Sequence, residues 1–301
     1  MKAAIIGCGY VGKTVAEYWQ QQKLSVLVTT TQQERVSELA AVAHKVVVLM
    51  GTDANKLQAA LADCDVALLC VGSKRGASYA NTYLGTARTL AQVLPNTAVK
   101  QVIYTSTCSV YGQHDGAWVN ELMPPMPMTE NGRVIEQTEQ VLLAATTPER
   151  RVCILRLGGI YGPGRSLKKI YARAAGTTRP GSGEEATNWV HLNDIVGGIE
   201  WARQQQLAGI YNLVQDEVPT VRSLITRVCD RYQLAPVLWD ALWDEQRVSD
   251  RRKNVRISNA KIKSTGYTFV HPQFWLASEF DPELDRELDT ESDAGSKTKL
   301  A

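Results

Sequence analysis

A short apolar run near the start of the chain leads directly into a glycine-rich stretch. The run Lys2–Ile6 is followed by Gly7–Thr14, which reads GCGYVGKT. Glycines at this spacing let backbone N–H groups approach an anion at the N-terminus of the next helix. The order of strand, glycine loop and helix therefore predicts a phosphate-binding α/β unit.

The same stretch fits two phosphate-binding motifs that imply different chemistry. Its three glycines match G-x-G-x-x-G, the dinucleotide loop of a Rossmann βαβ unit, which serves hydride transfer. Its end, with Lys13 and Thr14, completes G-x-x-x-x-G-K-[ST], the P-loop of nucleotide triphosphatases, which serves phosphoryl transfer. In the dinucleotide interpretation, the cofactor-binding residues of the loop are Gly7, Gly9, Tyr10, Val11 and Gly12.

The first half of the chain alternates β-rich runs with amphipathic stretches. Nearly continuous apolar strands separated by helices indicate a parallel sheet covered on both faces. We therefore predict an α/β protein with a Rossmann-type doubly wound parallel sheet. The predicted strands are Lys2–Ile6, Ser25–Thr30, Val46–Met50, Val66–Val71, Val102–Thr105 and Val152–Leu157. The predicted helices are Val11–Gln22, Glu34–Ala40, Ala54–Leu61, Ser78–Leu94 and Gly132–Ala145, with later ones at Leu192–Gln204 and Val221–Tyr232.

The pattern changes after Gly158, where glycine and proline become frequent. We predict a dinucleotide-binding domain over residues 1–165 and a smaller C-terminal substrate-binding lobe over residues 166–275, interleaved with the sheet. Residues 276–301 form a predicted acidic tail, with an acid at every second position from Glu279 to Asp293. Self-repelling charge with few apolar residues favours disorder there.

The composition excludes several kinds of partner. The formal net charge of +2 gives no electrostatic reason to expect nucleic acid or a membrane surface. No apolar run reaches the about 20 residues that span a bilayer, and the apolar start is too short for a secretion signal. The six cysteines show no metal-ligand spacing. We therefore predict free thiols, no metal site and a cytoplasmic location.

Short motifs farther along the chain follow one another in a family-like order. They are YTSTCSVYG at Tyr104–Gly112, LRL at Leu155–Leu157, IYGPG at Ile160–Gly164, WVHLND at Trp189–Asp194 and IYNL at Ile210–Leu213. In kind and order they resemble the extended short-chain dehydrogenases/reductases, the NAD-dependent epimerase/dehydratase-like family, over roughly residues 1–272. The resemblance favours the dinucleotide over the P-loop interpretation. A P-loop enzyme also needs a magnesium-binding Asp at a strand end, for which Asp53 is a weak candidate.

The resemblance implies roles for individual residues. Thr107, the third residue of the Ser/Thr triplet, is implied to be catalytic, and Thr105 and Asp53 are expected to contact the cofactor. The predicted substrate-binding residues, all within family-like motifs, are Arg156, Arg165 and His191. For His191 the alternative is that it braces, with Asp194, the turn before the following helix. A basic run, where relatives bind the diphosphate of nucleotide-sugars, comprises Arg247, Arg251, Arg252, Lys253 and Arg256; a solvated face or pairing with the acidic tail is the alternative.

The end of the second predicted strand bears on the choice between NAD and NADP. NAD binding usually needs an Asp or Glu there to accept the ribose hydroxyls. The chain has Thr29–Thr31 at this place, with Arg35 nearby. Thr30 and Arg35 are therefore the predicted ligands of a 2′-phosphate, and we favour NADP with NAD as the alternative. The competing interpretation is that the threonines only end the strand and that Arg35 is solvated.

The catalytic Tyr and Lys of the family are missing. The pair works because residues four apart share a helix face and the cation lowers the pKa of the phenol. No tyrosine of this chain has a lysine four residues later. When the chain is anchored on Glu139–Leu142, which resembles the family's EQxL helix, Asn131 falls at the Tyr position and Ile135 at the Lys position. The chain therefore resembles atypical members of the family.

Several residues are candidates to replace the pair. Tyr111 could face the nicotinamide edge, and the alternative is a tyrosine packed at a strand end. His114 with Asp115, Cys108 and Glu130 are further candidates, each with a structural alternative. We predict an NAD(P)-dependent oxidoreductase or epimerase of the atypical extended type, acting on a small polar, nucleotide-sugar-like substrate. The alternative is an NADP(H)-binding redox regulator without turnover. A homodimer is compatible with the sequence.

Overall fold

The structure, a computed structural model, describes residues 1–73, 76–240 and 253–274. The predicted acidic tail at 276–301 lies outside the described residues. So do Arg247, Arg251 and Arg252 of the basic run. No helix within the described ranges is long and apolar enough to cross a membrane.

A seven-stranded parallel sheet forms the centre of the molecule, so the predicted doubly wound α/β fold is confirmed. Its strands are β1 (Lys2–Ile6), β2 (Ser25–Thr30), β3 (Lys45–Val48), β4 (Val66–Leu69), β5 (Gln101–Thr107), β7 (Arg151–Leu157) and β11 (Gly209–Leu213). They lie in the order β11-β7-β5-β4-β1-β2-β3. The chain moves outward from β1 to β3 and then crosses to β4 on the other side of β1. That reversal opens a crevice at the carboxyl ends of β1, β2 and β4.

Helices cover both faces of the sheet. They are α1 (Tyr10–Gln21), α2 (Val36–Ala40), α3 (Ala54–Leu61), α4 (Thr86–Val93), α5 (Glu130–Leu143), α7 (Leu192–Gln204) and α9 (Ala260–Ser264). Two further helices, α6 (Leu167–Tyr171) and α8 (Val221–Arg231), pack on each other in a separate cluster with Tyr161 and Trp189. Successive residues of a strand point to opposite faces. Ala3 and Ile5 accordingly pack with residues of α1 and α7, whereas Ala4 and Ile6 pack with residues of α3, α4 and α5.

Three small two-stranded ladders lie outside the large sheet. The shorter strands are β6 (Trp118–Val119), β8 (Gly159–Tyr161), β9 (Thr178–Pro180), β10 (Trp189–His191), β12 (Leu238–Asp240) and β13 (Arg256–Ile257). They pair as β8 with β10, β9 with β12, and β6 with β13. The last ladder joins the loop that follows β5 to a segment near the end of the described chain, about 140 residues away along the sequence.

Candidate functional site

An open cleft lies at the crevice where the strand order reverses. β1 pairs with β2 on one side and with β4 on the other, and ligands of open α/β sheets bind at such a point. The volume of the cleft is about 350 Å³. Its lining comes from the glycine loop, the end of β2, the turn after β3 and the end of β4, and includes Gly7, Cys8, Gly9, Thr29, Thr30, Thr31, Arg35, Met50, Gly51, Thr52, Cys70, Val71 and Gly72.

The glycine loop has the shape that a dinucleotide diphosphate requires. Gly7 has φ +91°, and a Cβ there would lie 2.8 Å from Cys70 O, so only glycine fits. A Cβ on Gly12 would lie 2.7 Å from Gly7 O, which means that α1 approaches β1 too closely for a side chain. A Cβ on Gly9 would meet nothing within 4 Å. Gly9 therefore leaves open space at the N-terminus of α1, whose first turn carries no acid to repel an anion.

The Lys13 and Thr14 side chains, which suggested a P-loop, point away from this cradle. Lys13 Nζ forms an ion pair with Glu38 at 3.0 Å. Thr14 Oγ1 donates to the carbonyl of Tyr10 at 3.2 Å, inside the helix. Neither side chain lines the cleft, so the P-loop interpretation is not supported by the geometry.

The end of β2 brings hydroxyl groups and one guanidinium to the cleft. Thr29 Oγ1 accepts from the N–H of Gly7 at 3.1 Å, and Thr30 Oγ1 accepts from the N–H of Gln32 at 3.2 Å. Arg35 donates to the carbonyl of Cys8 at 2.7 Å and pairs with Glu38 at 3.2 Å. Hydrogen bonds from Arg35 and then Lys13 lower the pKa of Glu38. Since Lys13 and Arg35 share this one carboxylate, one positive charge is left uncompensated in the group.

Asp53, a predicted cofactor contact, is not brought into the cleft. Its carboxylate accepts from the N–H of Lys56 at 3.1 Å and caps α3. The cleft wall here is built by the preceding residues, Met50 to Thr52. Sequence distance alone could not distinguish a helix cap from a ligand at this turn, because both place an acid just after a strand.

Thr105 and Thr107 lie near the carboxyl end of β5. Thr105 Oγ1 donates to the carbonyl of Leu69 at 3.4 Å, across to β4. Thr107 Oγ1 accepts from the N–H of Ser109 at 3.2 Å and caps a 3₁₀ turn over Cys108–Tyr111. The carbonyl of Ser109 in turn accepts from Lys253 Nζ at 3.0 Å. Thr107 is half-buried, so its hydroxyl is held in place without being sealed in the core.

Tyr111 does not face an open site, which corrects its assignment as a replacement proton donor. It is fully buried, and its hydroxyl donates to Asn212 Oδ1 at 2.8 Å. The guanidinium of Arg156 lies 4.7 Å from the centre of its ring. Burial raises the pKa of Tyr111 to about 12. The structure therefore shows the alternative, a tyrosine packed at a strand end.

Arg156 is likewise unavailable to a substrate, which corrects its assignment as a ligand. Its side chain is 1% exposed and forms an ion pair with Glu139 of α5 at 2.6 Å. Ser106 Oγ donates to the same carboxylate at 2.5 Å. Strand alternation explains the position: Val152 and Ile154, four and two residues earlier, pack on the face that α5 covers.

The other two predicted substrate ligands differ in their accessibility. His191 is buried, and its Nδ1 accepts from the N–H of Asn193 at 3.2 Å at the start of α7. It therefore braces the turn, as the alternative interpretation had it. Arg165 is exposed, and its guanidinium lies 5.5 Å from the ring of Tyr10 in the glycine loop. The hydroxyl of Tyr10 donates to Pro163 O at 2.7 Å, so the turn after β8 adjoins the loop.

The candidates to replace Tyr and Lys are scattered. On α5, Asn131 is exposed and Ile135 is buried. Glu130 is exposed and pairs with Arg133 at 2.9 Å. Cys108 is buried and donates to the carbonyl of Arg156 at 3.2 Å, and burial raises the pKa of its thiol. Lys253, predicted only as part of the basic run, lies next to the Thr107 turn, a place that the sequence did not predict.

Comparison with known proteins identifies the family. A sequence model of the NAD dependent epimerase/dehydratase family matches residues 3–213. Protein YeeZ of Escherichia coli strain K12 is 32% identical over 218 residues, which are 70% of this chain and 77% of YeeZ. The chain therefore belongs to the NAD-dependent epimerase/dehydratase family. The resemblance to this family is confirmed, and the binding of a dinucleotide by the glycine loop stays a prediction that family membership favours.

Solved structures of other proteins show the same fold. The dTDP-glucose 4,6-dehydratase DesIV of Streptomyces venezuelae, determined with NAD bound, superposes with a TM-score of 0.77 at 21% identity, over 97% of this chain and 98% of DesIV. The UDP-glucose 4-epimerase of Thermotoga maritima, determined with UDP-glucose, gives a TM-score of 0.73 at 19% identity, over 90% and 94%. At these identities the likeness establishes the fold, and the chemistry has to be argued from the site.

Proposed function

We propose that the protein is an oxidoreductase or epimerase of the atypical extended type, preferring NADP(H) and acting on a small polar, nucleotide-sugar-like substrate. The observation that carries the cofactor preference is the charge at the end of β2. Lys13 and Arg35 share a single carboxylate, Glu38, and no Asp or Glu ends the strand beside Thr30. An uncompensated cation with hydroxyl neighbours suits a 2′-phosphate better than two ribose hydroxyls.

The residues present fit the cofactor. The open space beside Gly9 and the N-terminus of α1 would hold the diphosphate, and Thr30 with Arg35 would hold the phosphorylated ribose. Thr107, at the end of β5, would hold the substrate oxygen through its hydroxyl. When bound, the nicotinamide exchanges a hydride with a substrate carbon.

Titration of the purified protein with NADPH and NADH, followed by cofactor fluorescence, tests the preference. NADPH is expected to bind about tenfold tighter, which corresponds to about one charge-assisted hydrogen bond. Arg35→Gln should remove this difference, whereas Lys56→Gln, an exposed lysine on α3, should leave it unchanged. Tighter binding of NADH by the wild type would contradict the preference.

Turnover tests the enzymatic part of the proposal. The wild type is mixed with NADPH and, separately, with NADP⁺ against a panel of UDP- and dTDP-sugars and simple carbonyl compounds. At least one class of compound is expected to be converted, seen as net oxidation or reduction of the cofactor or, for an epimerase, which returns the hydride to its substrate, as a changed sugar product by chromatography. Thr107→Ala should abolish the conversion. Binding of NADPH without conversion of any compound in the panel would contradict the proposal that the protein is an enzyme.

A second candidate, a redox regulator that binds NADP(H) without turnover, has one observation in its favour. Tyr111, four residues beyond Thr107, is locked to Asn212 in the core and has no access to a substrate. The two candidates differ in the panel experiment, since the regulator binds both redox forms and converts nothing.

A further inference from the structure

Lys253 is fixed against the loop that follows β5. The next residue, Asn254, accepts through its carbonyl from the N–H groups of His114 at 3.3 Å and Gly116 at 2.8 Å. The N–H of Asn254 donates to Gln113 Oε1 at 2.6 Å. Two residues on, β13 pairs with β6 of the same loop. Contacts on both sides of the loop therefore fix the backbone that carries Lys253.

The ammonium of Lys253 is linked to the hydroxyl of Thr107 through the backbone of Ser109. Lys253 Nζ donates to the carbonyl of Ser109 at 3.0 Å, and the N–H of Ser109 donates to Thr107 Oγ1 at 3.2 Å. The N and O atoms of one residue are at most about 3.6 Å apart, so the ammonium and the hydroxyl are separated by no more than about 10 Å. A substrate that Thr107 holds, if it extends toward Ser109, would meet the flexible lysine side chain within that distance.

The charge of Lys253 has no acidic partner among the residues that the structure describes. The side chain is half-buried, and among residues 1–73, 76–240 and 253–274 no carboxylate pairs with it. The groups next to it on the loop, Gln113 and Ser109, are neutral, and Arg256 is turned to the carbonyl of Gly116. Burial lowers the pKa of Lys253. A lysine that carries a desolvation penalty, with no ionic partner in the described part of the chain, is a candidate for a functional group.

We propose that Lys253 is the proton donor that replaces the missing Tyr and Lys, a proposal that rests on the proposed oxidoreductase function. In the reducing direction, hydride from the reduced nicotinamide forms a C–H bond at the substrate carbonyl carbon, and the C=O π pair moves to oxygen. The oxygen takes a proton from the Lys253 ammonium, which becomes a neutral amine and is reprotonated by water. In the oxidising direction the neutral amine accepts the hydroxyl proton as the hydride leaves. The acid and the base are one group, as in the missing pair.

The chain offers a matched control for this assignment. Lys261 Nζ also donates to a backbone carbonyl, that of Ile210, at 2.7 Å, and its side chain is exposed. Arginine at either position keeps the positive charge and the carbonyl hydrogen bond. It cannot release a proton at ordinary pH, so it separates proton transfer from a merely structural role.

The first experiment needs no substrate. Lysines are dimethylated with ¹³C-formaldehyde, the two signals are assigned with Lys253→Arg and Lys261→Arg, and their shifts are followed against pH. The Lys253 signal should titrate below the ordinary range of lysines, and NADP⁺ should shift it and leave the Lys261 signal in place. Titration of Lys253 in the ordinary lysine range with no response to NADP⁺ would overturn the proposal.

The second experiment measures kcat on whichever panel compound the wild type converts. Lys253→Met and Lys253→Arg should each lower kcat about 100-fold with unchanged NADPH affinity, and Lys261→Arg should stay within about twofold of the wild type. Thermal unfolding of each variant shows that it is folded. Full activity in Lys253→Arg would overturn the proton-donor role. If the wild type converts nothing, the proposed function and the proton-transfer step both fail, and the titration still shows whether Lys253 lies at the dinucleotide site.

Discussion

The guanidinium of Arg156 and the carboxylate of Glu139 form an ion pair of 2.6 Å in which neither side chain is more than 3% exposed. The pair joins β7 to α5, and Ser106 of β5 donates to the same carboxylate. A buried charge that loses its partner is strongly unfavourable, although the intact pair itself adds little net stability. The contact thus fixes α5 against the two central strands.

Removing one charge of this pair should destabilise the fold. Glu139→Gln leaves the Arg156 guanidinium buried and unpaired, so the free energy of unfolding should fall by about 3–5 kcal/mol. Urea denaturation measures the change. Glu136→Gln, one turn earlier on the same helix and partly exposed, should change it by less than about 0.5 kcal/mol. Equal effects of the two substitutions would contradict the structural role assigned to the pair.

Loss of the Tyr111 hydroxyl should affect stability and leave chemistry unchanged. Tyr111→Phe leaves the buried Asn212 Oδ1 without this donor, which should cost about 1–3 kcal/mol of unfolding free energy. The dissociation constant for NADPH and kcat with any active compound should match those of the wild type. A loss of kcat without a loss of stability would return Tyr111 to the catalytic site.

Two alanine substitutions in the glycine loop should have different consequences. A Cβ on Gly9 meets nothing within 4 Å and its φ is negative, so Gly9→Ala should fold normally. Its methyl group occupies the space expected for the diphosphate, and NADPH should bind at least about tenfold more weakly, a loss of about 1.4 kcal/mol. Gly12→Ala places a Cβ 2.7 Å from Gly7 O and should also lower stability, by about 1–3 kcal/mol. Unchanged NADPH binding by Gly9→Ala would contradict the proposal that the space beside Gly9 holds the diphosphate.

The thiol of Cys8 provides a test of the cleft that depends on pH. Burial raises the pKa of Cys8 to about 12, and Cys8 lines the cleft. A raised pKa means less thiolate at a given pH, so alkylation by iodoacetamide should be slow near neutral pH. At pH values above the ordinary pKa range of thiols, the rate of alkylation should still rise about tenfold per pH unit. Saturating NADPH should protect it. Mass spectrometry locates the label, and the loss of label in Cys8→Ser gives the part of the alkylation that occurs at Cys8. A rate that levels off in the ordinary thiol range would contradict the burial of this side chain.

The sheet and its helices could be predicted from the sequence because each strand and helix is specified by a pattern within its own residues. The bounds of β1, β2, α3 and α7 agree with the predicted ones, since continuous apolar runs and amphipathic periods specify them directly. The predicted third strand, Val46–Met50, is found at Lys45–Val48, because its last two residues already belong to the turn that forms the cleft wall.

Residues of the site could be predicted only where a short sequence motif specifies them. Motif matching placed Arg156 among the substrate ligands, although the alternation Val152, Ile154, Arg156 already points it toward α5. Lys253 was predicted only as part of a basic run. Its place beside the Thr107 turn could not be predicted, because its contact with Ser109 joins residues 144 apart and follows from a pairing of two short strands. Such contacts depend on tertiary packing, which no local pattern encodes.

The strand β11 has a consequence for how this gene can be cut and recombined. Gly209–Leu213 pairs with Cys153–Leu157 of β7 and closes that side of the sheet, while α7, just before it, packs on α1. A fragment ending at residue 165 would keep the whole nucleotide cradle yet expose a long apolar edge strand and an uncovered helix, the features that drive aggregation. Exchange of the C-terminal part between homologues should therefore succeed only at a crossover placed after β11, with the cradle, α7 and the closing strand inherited together.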